Sequence, residues 1–343
     1  MEDSTLASFS PGVCRVLRAA QKLSTQRAYR YKWDKFVEFL NDKNILLSLV
    51  SLANILEFLM SLSDLGLLLS SIKGYLSAIS YHYVSENKPS LFRDPFVKRF
   101  LKGLNKLHPP CSMPAPAWSL DLVLSKLALK PFEPMATADL RLVTWKTAFL
   151  VAIMSARRAG ELCALRADYL RFHKDKVVLR TDISFLPKVV SPLHTSQDIV
   201  LPTLAPNPTS EEKRRIHALD VRRALAFYLD RTSGSRSTNR FFVCYSDPKK
   251  GLPVSPQRFS KWIMNVIHLC YELSGRPCPE WVRAHTTRVV EASSAFLMGV
   301  PLEEICKAAI WSQSLTFVRH YRLYTRVRQD AAFGRAVLLS GLH

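Results

Sequence analysis

The stretch EWVRAHTTRVVEASSAF, residues 280–296, sets His285 and Arg288 three positions apart. Its Val289, Val290, Ala292 and Phe296 read as the apolar side of a helix. Side chains at i and i+3 share a helix face, so an imidazole and a guanidinium should project together from an element otherwise built for a core. Such a pair also arises by chance, and its meaning depends on what the rest of the chain supplies.

The chain has 343 residues, 48% of them hydrophobic, and a formal net charge of +20. Length and apolar content predict two folded domains rather than a basic tail. A surplus of this size on a folded protein points to a polyanionic partner. Residues 1–108 carry 15 Lys and Arg against 9 Asp and Glu, a net of +6, and the remainder carries 33 against 19, a net of +14. Both halves are positive, as expected of two domains gripping one nucleic acid. The seven cysteines (14, 111, 163, 244, 270, 278 and 306) are odd in number and include no C-x-x-C and no zinc-ligand spacing. They read as reduced thiols of an intracellular protein. No metal site is expected. The opening MEDSTLASFS is acidic and polar, unlike a secretory signal. In the apolar stretch 44–72, Asn54, Glu57 and Asp64 interrupt what would otherwise pass for a membrane span, and a pair of buried helices is expected there.

Helical periodicity predicts helices over 24–40, with Tyr29, Trp33, Phe36, Val37 and Leu40 on one stripe, and over 69–84, with Ile72, Leu76 and Ile79. A third, 94–107, has a basic face. No alternating strand pattern precedes residue 110. The other faces of these helices carry Arg27, Arg30, Lys73, Lys98 and Lys102, candidates for contact with nucleic-acid phosphates. HPPCSMPAPAW (108–118) has four prolines in eleven residues and reads as a semi-stiff linker. Beyond it, helices are predicted over 119–130, 139–155, 211–230, 255–273, 284–298, 302–309 and 314–325. A β-branched, turn-punctuated segment, 175–204, predicts about three short strands. The expected organisation is an N-terminal extension (1–23), a helical domain (24–107), the linker (108–118), a second domain (119–330) and an apolar tail (331–343).

Other chemistry-bearing groups lie in this second domain. MSARRAGELCAL (154–165) places Glu161 one helical turn after Arg158, and a carboxylate so placed can orient a guanidinium while leaving its other donors available. Arg157 reads as lying on a different helix face, with a lesser role. FLPKVVS (185–191) puts Lys188 just past a proline on the small sheet, where a lysine is ordinarily solvated edge protection. AAIWSQSLTFVRHYRLYTRV (308–327) supplies Trp311, Tyr321 and Tyr324 on a basic segment.

In this order, Arg-x-x-Glu, a sheet lysine, His-x-x-Arg, an aromatic and then tyrosine, the chain resembles the tyrosine recombinase (phage integrase) family from about residue 24 to 326. SARRAGELCALR looks like its first arginine box, RAHTTR like its His-x-x-Arg box and ICKAAIWSQSLTFVRHYR like its terminal box. The wording is most similar to recombinases of animal mobile elements, the DIRS/Ngaro-like retrotransposons and their relatives. The resemblance implies a mainly α fold with a small antiparallel β-sheet (α+β) in the catalytic domain. It further implies a two-domain DNA clamp made of a helical core-binding domain and a catalytic domain. Arg158 and Arg288 would clamp the scissile phosphate, with Glu161 bracing the first. Lys188 would be the general acid, His285 an acid/base and phosphate contact, and Trp311 would fill the family's His-or-Trp position. Tyr321 falls where the nucleophile is found, although Trp311 to Tyr321 spans ten positions where nine is common, which keeps Tyr324 open as the alternative. The chemistry needs no metal, nucleotide or other small-molecule cofactor, and no G-x-x-x-x-G-K-[ST] occurs. The implied partners are double-stranded DNA and three further copies of the chain, a tetramer on DNA, with no membrane; the implied site of action is the nucleus. A DNA-binding descendant that no longer recombines and a type IB topoisomerase are the alternatives.

Overall fold

The computed structural model describes residues 9–83, 90–109, 118–187, 198–280, 282–311 and 317. The chain divides into two compact units, 1–113 and 114–343. Lys188, Tyr321, Tyr324, the tail 331–343 and all but Phe317 of the helix expected over 314–325 lie outside the described residues.

Within the first unit, every described element is helical: α1 (Pro11–Ala19), α2 (Leu23–Asp42), α3 (Leu52–Asp64), α4 (Leu69–Tyr83) and α5 (Pro95–Leu107), with 3-10 turns at Leu47–Leu49 and Leu91–Arg93. The stripes predicted on α2 and α4 do the packing. Phe36 and Leu40 meet Ile72, Leu76 and Ile79, all essentially solvent-free, and Ile55, Phe58 and Leu59 of α3 complete the core. Local chemistry sets the boundaries. Ser51 and Asn54 cap α3 reciprocally, each side chain accepting from the other's backbone N–H at 3.3 and 2.9 Å. Asp94 accepts from the amides of Phe96 and Val97, and Pro95 opens α5 at the position where a missing N–H costs nothing. One expectation needs correction. Stretch 44–72 holds one helix, α3, plus the first residues of α4, because the 3-10 turn and Gly66 (φ 80°) interrupt it. Helix α1 lies within the N-terminal extension.

The second unit is mainly α with one small sheet: α6 (Leu120–Leu127), α7 (Leu140–Ser155), α8 (Ala159–Cys163), β1 (Arg171–Phe172), β2 (Lys176–Leu179), β3 (Ile199–Pro202), α9 (Glu211–Ala218), α10 (Val221–Thr232), α11 (Pro256–Glu272), α12 (Thr286–Leu297) and α13 (Leu302–Ala309). The sheet is antiparallel in the order β1-β2-β3, with Val177 opposite Leu201 and Leu179 opposite Ile199. These four residues are buried and their strand neighbours are not, the period-2 pattern of a sheet with one covered face. The sheet starts earlier than expected, at residue 171, and Phe185, Leu186 and Pro187 are not in a strand. The single helix expected over 211–230 is two. The chain turns at Leu219–Asp220, where Asp220 caps α10 by accepting from the Arg223 amide at 2.6 Å.

Helix α7 is the axis of this unit, buried on nearly every side and packed by α10, α11 and α12. A buried lysine in such a helix demands partners. Lys146 donates to the Leu127 carbonyl at 2.7 Å and to Glu133, whose carboxylate also takes a two-pronged bond from Arg223 of α10 at 2.7 and 2.8 Å. Burial pulls the Lys146 ammonium down to about 8 even against the attraction of Glu133. This triad ties α7, α10 and the turn between α6 and α7 together. None of the described helices is long and apolar enough to cross a membrane.

Candidate active site

Helix α7 ends at Ala156, whose left-handed conformation (φ 53°, ψ 20°) turns the chain sharply. Arg157 and Arg158 form the link that follows, with Arg158 at the N-cap of α8. Glu161 therefore lies one turn into α8. Its carboxylate accepts from the Arg158 backbone N–H at 3.2 Å and from the Arg158 guanidinium at 3.4 Å. The Glu161 side chain is 9% exposed and that of Arg158 is 36%, so the carboxylate is fixed within the protein while the arginine reaches outward from it. The two arginines are not on faces of one helix, as the sequence suggested; they sit in a turn.

Helix α12 begins at Thr286, and His285 is its exposed N-cap residue rather than part of its first turn. The start of the helix is tied to Trp118, and the neighbouring Ser119 to α11. The Trp118 indole N–H donates to the Thr286 hydroxyl at 3.1 Å, and the Ser119 amide donates to the Tyr271 hydroxyl of α11 at 2.8 Å. One turn on, Arg288 is 3% exposed. Its guanidinium donates to the Ala309 carbonyl at 2.8 Å and lies over the Trp311 ring, 5.5 Å from the centroid.

The approach of Trp311 is set by how α13 ends. The Trp311 amide donates to the Cys306 carbonyl and the Ile310 amide to that of Lys307, at 2.8 and 3.2 Å. This is the paired closure of a helix whose next residue is left-handed. That residue is Ile310 (φ 51°, ψ 55°), a β-branched side chain in a conformation it rarely adopts. The closure swings Trp311 onto Arg288, and Ala156, Val289, Ala309 and Trp311 share one small apolar cluster. The links that carry Arg158 and Trp311 are thus packed against the same side of α12.

Of the residues singled out in the sequence, Arg158, Glu161, His285, Arg288 and Trp311 fall in this region. Arg27 and Arg30 on α2, Lys73 on α4 and Lys98 and Lys102 on α5 are all exposed on the first unit. Lys174, in the turn between β1 and β2, is exposed, and Lys176 opens β2 half-buried.

Two neighbours of these residues carry buried polar atoms: Arg157, read as having a lesser role, and Glu291, which was missed. Arg157 has its Nε buried. Burial lowers its pKa from the ordinary arginine value, with Glu161 opposing and Arg288 and Arg158 adding to the shift. Glu291, one turn after Arg288, is 8% exposed, and its carboxyl oxygens have no hydrogen-bond partner among the described residues. Burial holds this carboxyl well above the usual carboxylate range against the pull of Arg288. Its spacing from Arg288 was visible in the sequence, but its burial was not.

The raised Glu291 pKa fixes the sign of a pH effect. In the folded chain the group binds its proton more tightly than in the unfolded chain, so stability falls as pH rises from the ordinary carboxylate value through the folded one. Glu291→Gln keeps the shape and cannot ionise. It should melt higher than wild type at pH 8, by several degrees if the relieved burial cost is ~1–2 kcal/mol. The gap should close near pH 4. Equal melting curves for the two proteins at both pH values would show that Glu291 is not a buried, costly carboxylate.

No protein-family model matches the chain, and none of the curated proteins matches it in sequence. Solved structures do resemble it. The site-specific recombinase XerH, bound to a palindromic difH substrate, is 16% identical, with a TM-score of 0.59 over 96% of this chain and 83% of that one. The integrase of transposon Tn1549, in complex with transposon right end DNA, is 13% identical, with a TM-score of 0.59 over 93% and 96%. A lambda integrase dimer bound to a COC' core site is 14% identical, with a TM-score of 0.54 over 90% and 74%. The chain has the tyrosine recombinase fold, mainly α with a small antiparallel sheet.

Proposed function

We propose that this chain is a tyrosine recombinase, a DNA strand-cleaving and rejoining enzyme of a mobile element, acting in the nucleus on double-stranded DNA as a tetramer. The observation that carries the reading is the convergence on α12 of a carboxylate-braced arginine and a buried arginine stacked on tryptophan, within this fold. Cleaving a phosphodiester builds negative charge on the non-bridging oxygens, and fixed guanidinium forks at Arg158 and Arg288 stabilise that charge as it forms. The phenol oxygen of Tyr321 bonds to phosphorus, the bond from phosphorus to the 5′-oxygen breaks, and a 3′-phosphotyrosyl ester retains the energy of the diester. Tyr324 is the alternative nucleophile. His285, exposed at the head of α12, takes the phenol proton, and Lys188 gives a proton to the departing 5′-oxygen. Attack on the ester by the 5′-hydroxyl of another strand reverses the step. On the first unit, Arg27, Arg30, Lys73, Lys98 and Lys102 bind phosphates of the duplex. The net charge of +20 supports a large electrostatic share in that binding.

Randomised DNA lets the protein select its own target. Wild type is incubated with randomised duplexes carrying a nick, and DNA that stays attached after denaturation is sequenced. Enrichment of one sequence in covalent form is the expected result. Retention before denaturation with none after it would make the chain a DNA-binding protein without cleavage. Relaxation of supercoils without exchange between duplexes would make it a topoisomerase.

The recovered site then tests the leaving group. Lys188→Ala should cleave the natural diester poorly but a bridging 5′-phosphorothiolate nearly as well as wild type does, since a thiolate leaves without a proton. Equal losses on both substrates would transfer the acid role from Lys188, with Lys174 and Lys176 next to be tried.

A further inference from the structure

Residues 180–198 connect β2 to β3, a long path between two strands paired in one sheet. Its first arm is tied to the end of α8. Thr181 pairs with Leu165, and the Asp182 amide donates to the Ala164 carbonyl at 2.8 Å. At Asp182 the arm turns. The Phe185 amide donates to the Asp182 carbonyl at 3.0 Å, and the Ser184 amide and hydroxyl both donate to Oδ1 of the Asp182 carboxylate, at 2.9 and 2.6 Å. Oδ2 faces two arginines from other parts of the chain. Arg166 donates to it at 3.2 Å, and the Arg240 guanidinium lies 3.7 Å away. Each arginine is also held elsewhere. Arg166 makes a two-pronged bond to Asp168, at 2.8 and 2.6 Å, and Arg240 donates to the Ala164 carbonyl at 2.9 Å. The Asp182 side chain is 14% exposed. Its carboxyl is lowered to about 2, by Ser184 first and by Arg166 and Arg240 after it, so it is charged at neutral pH. The turn itself needs only Oδ1, and an asparagine would make it. The second oxygen and the two guanidiniums decide where the turn sits.

We infer that Asp182 is a positioning residue for the general acid: gripped by Arg166 and Arg240, its carboxylate fixes the arm that leads to Lys188 against the end of the helix that begins at Arg158. This rests on the recombinase reading above and on Lys188 as the acid within it. Beyond the turn the chain runs through Phe185, Leu186 and the buried Pro187, and Lys188 is the next residue. From Phe185 it is three residues on, within about 10 Å of extended chain. Helix α8 has five residues and rises about 7.5 Å, so the anchor at Ala164 and the brace between Arg158 and Glu161 stand at the two ends of one short element. A proton donor must come within hydrogen-bond reach of the departing oxygen while the arginines hold the phosphate, and a misplacement of about 1 Å can slow a reaction roughly 10²-fold. A carboxylate that ties the acid's arm to the helix of the clamp sets that distance.

Asp182→Ala, Asp182→Asn and Lys188→Ala are compared with wild type on the duplex recovered by covalent capture, carrying either the natural scissile diester or a bridging 5′-phosphorothiolate. Asp182→Ala should form adduct roughly 10-fold or more slowly on the diester, yet within about threefold of wild type on the sulfur-substituted duplex, the pattern expected of Lys188→Ala. Combined with Lys188→Ala, it should slow the diester reaction by no more than about twofold beyond Lys188→Ala alone, because a misplaced acid and an absent one are the same loss. Asp182→Asn keeps the size and the turn without the charge. It should show the same selective loss to a smaller extent, and it decides the matter should Asp182→Ala fail to fold. Equal losses on the two duplexes, or a double variant as slow as the product of the single losses, would make Asp182 a residue of the fold alone and overturn the inference while Lys188 keeps its role. Wild-type rates on the diester in both Asp182 variants would do the same. Lys188→Ala without recovery on the sulfur-substituted duplex overturns the acid assignment and this inference together. A wild type that forms no adduct on any duplex overturns the recombinase reading as well.

Discussion

Tyr321→Phe should form no covalent adduct with DNA while binding the recovered duplex with wild-type affinity. The change removes one oxygen, the atom proposed to attack phosphorus, and leaves the ring. Affinity rests on many phosphate contacts spread over a chain of net charge +20, so loss of one hydroxyl should barely register in a binding curve or its salt dependence. Adduct formation has no substitute nucleophile unless Tyr324, three positions on in sequence, takes the role. Denaturing gels of Tyr321→Phe and Tyr324→Phe decide the matter. An adduct with the first variant and none with the second would reassign the nucleophile.

Loss of either clamp arginine should be nearly as severe. Arg158→Ala and Arg288→Ala should each slow adduct formation by roughly 10²-fold or more, and the double variant by much less than the product, because two guanidiniums on one phosphate act as a unit. The structure makes Arg158 the cleaner probe. Its side chain is 36% exposed, so truncation leaves no cavity and the fold should survive, with Glu161 the group most affected. Arg288 is buried and bonded to the Ala309 carbonyl, so Arg288→Ala should also lower the melting temperature, and Arg288→Lys serves as the control that keeps charge without the fork. Wild-type adduct rates in a stably folded Arg158→Ala would refute the site.

What the sequence determined by itself was the set of helices and the order of the chemistry. Stripes such as Phe36 and Leu40 against Ile72, Leu76 and Ile79 are readable because a helix buries a fixed face, and the spacing of that face is written in the residues. Arg-x-x-Glu and His-x-x-Arg are readable for the same reason: one turn of helix separates their members. Boundaries failed where a cap or turn outweighed periodicity, as at Asp220, which splits one expected helix into α9 and α10, and at Thr286, where α12 begins just after His285.

Tertiary structure alone decided the environment of each site residue. Nothing in the run SARRAGEL says that Ala156 turns left-handed between α7 and α8, because a non-glycine residue takes that conformation only when its surroundings hold it there. Nothing in AAIW says that Ile310 does the same and lays Trp311 over a guanidinium 23 residues earlier in the chain. Nor does the spacing of Glu291 reveal that it is a buried acid. Burial, and with it the cost of a charge, depends on which elements close around a side chain, and here α12 packs against both α7 and α13, elements distant from it or from each other in the chain.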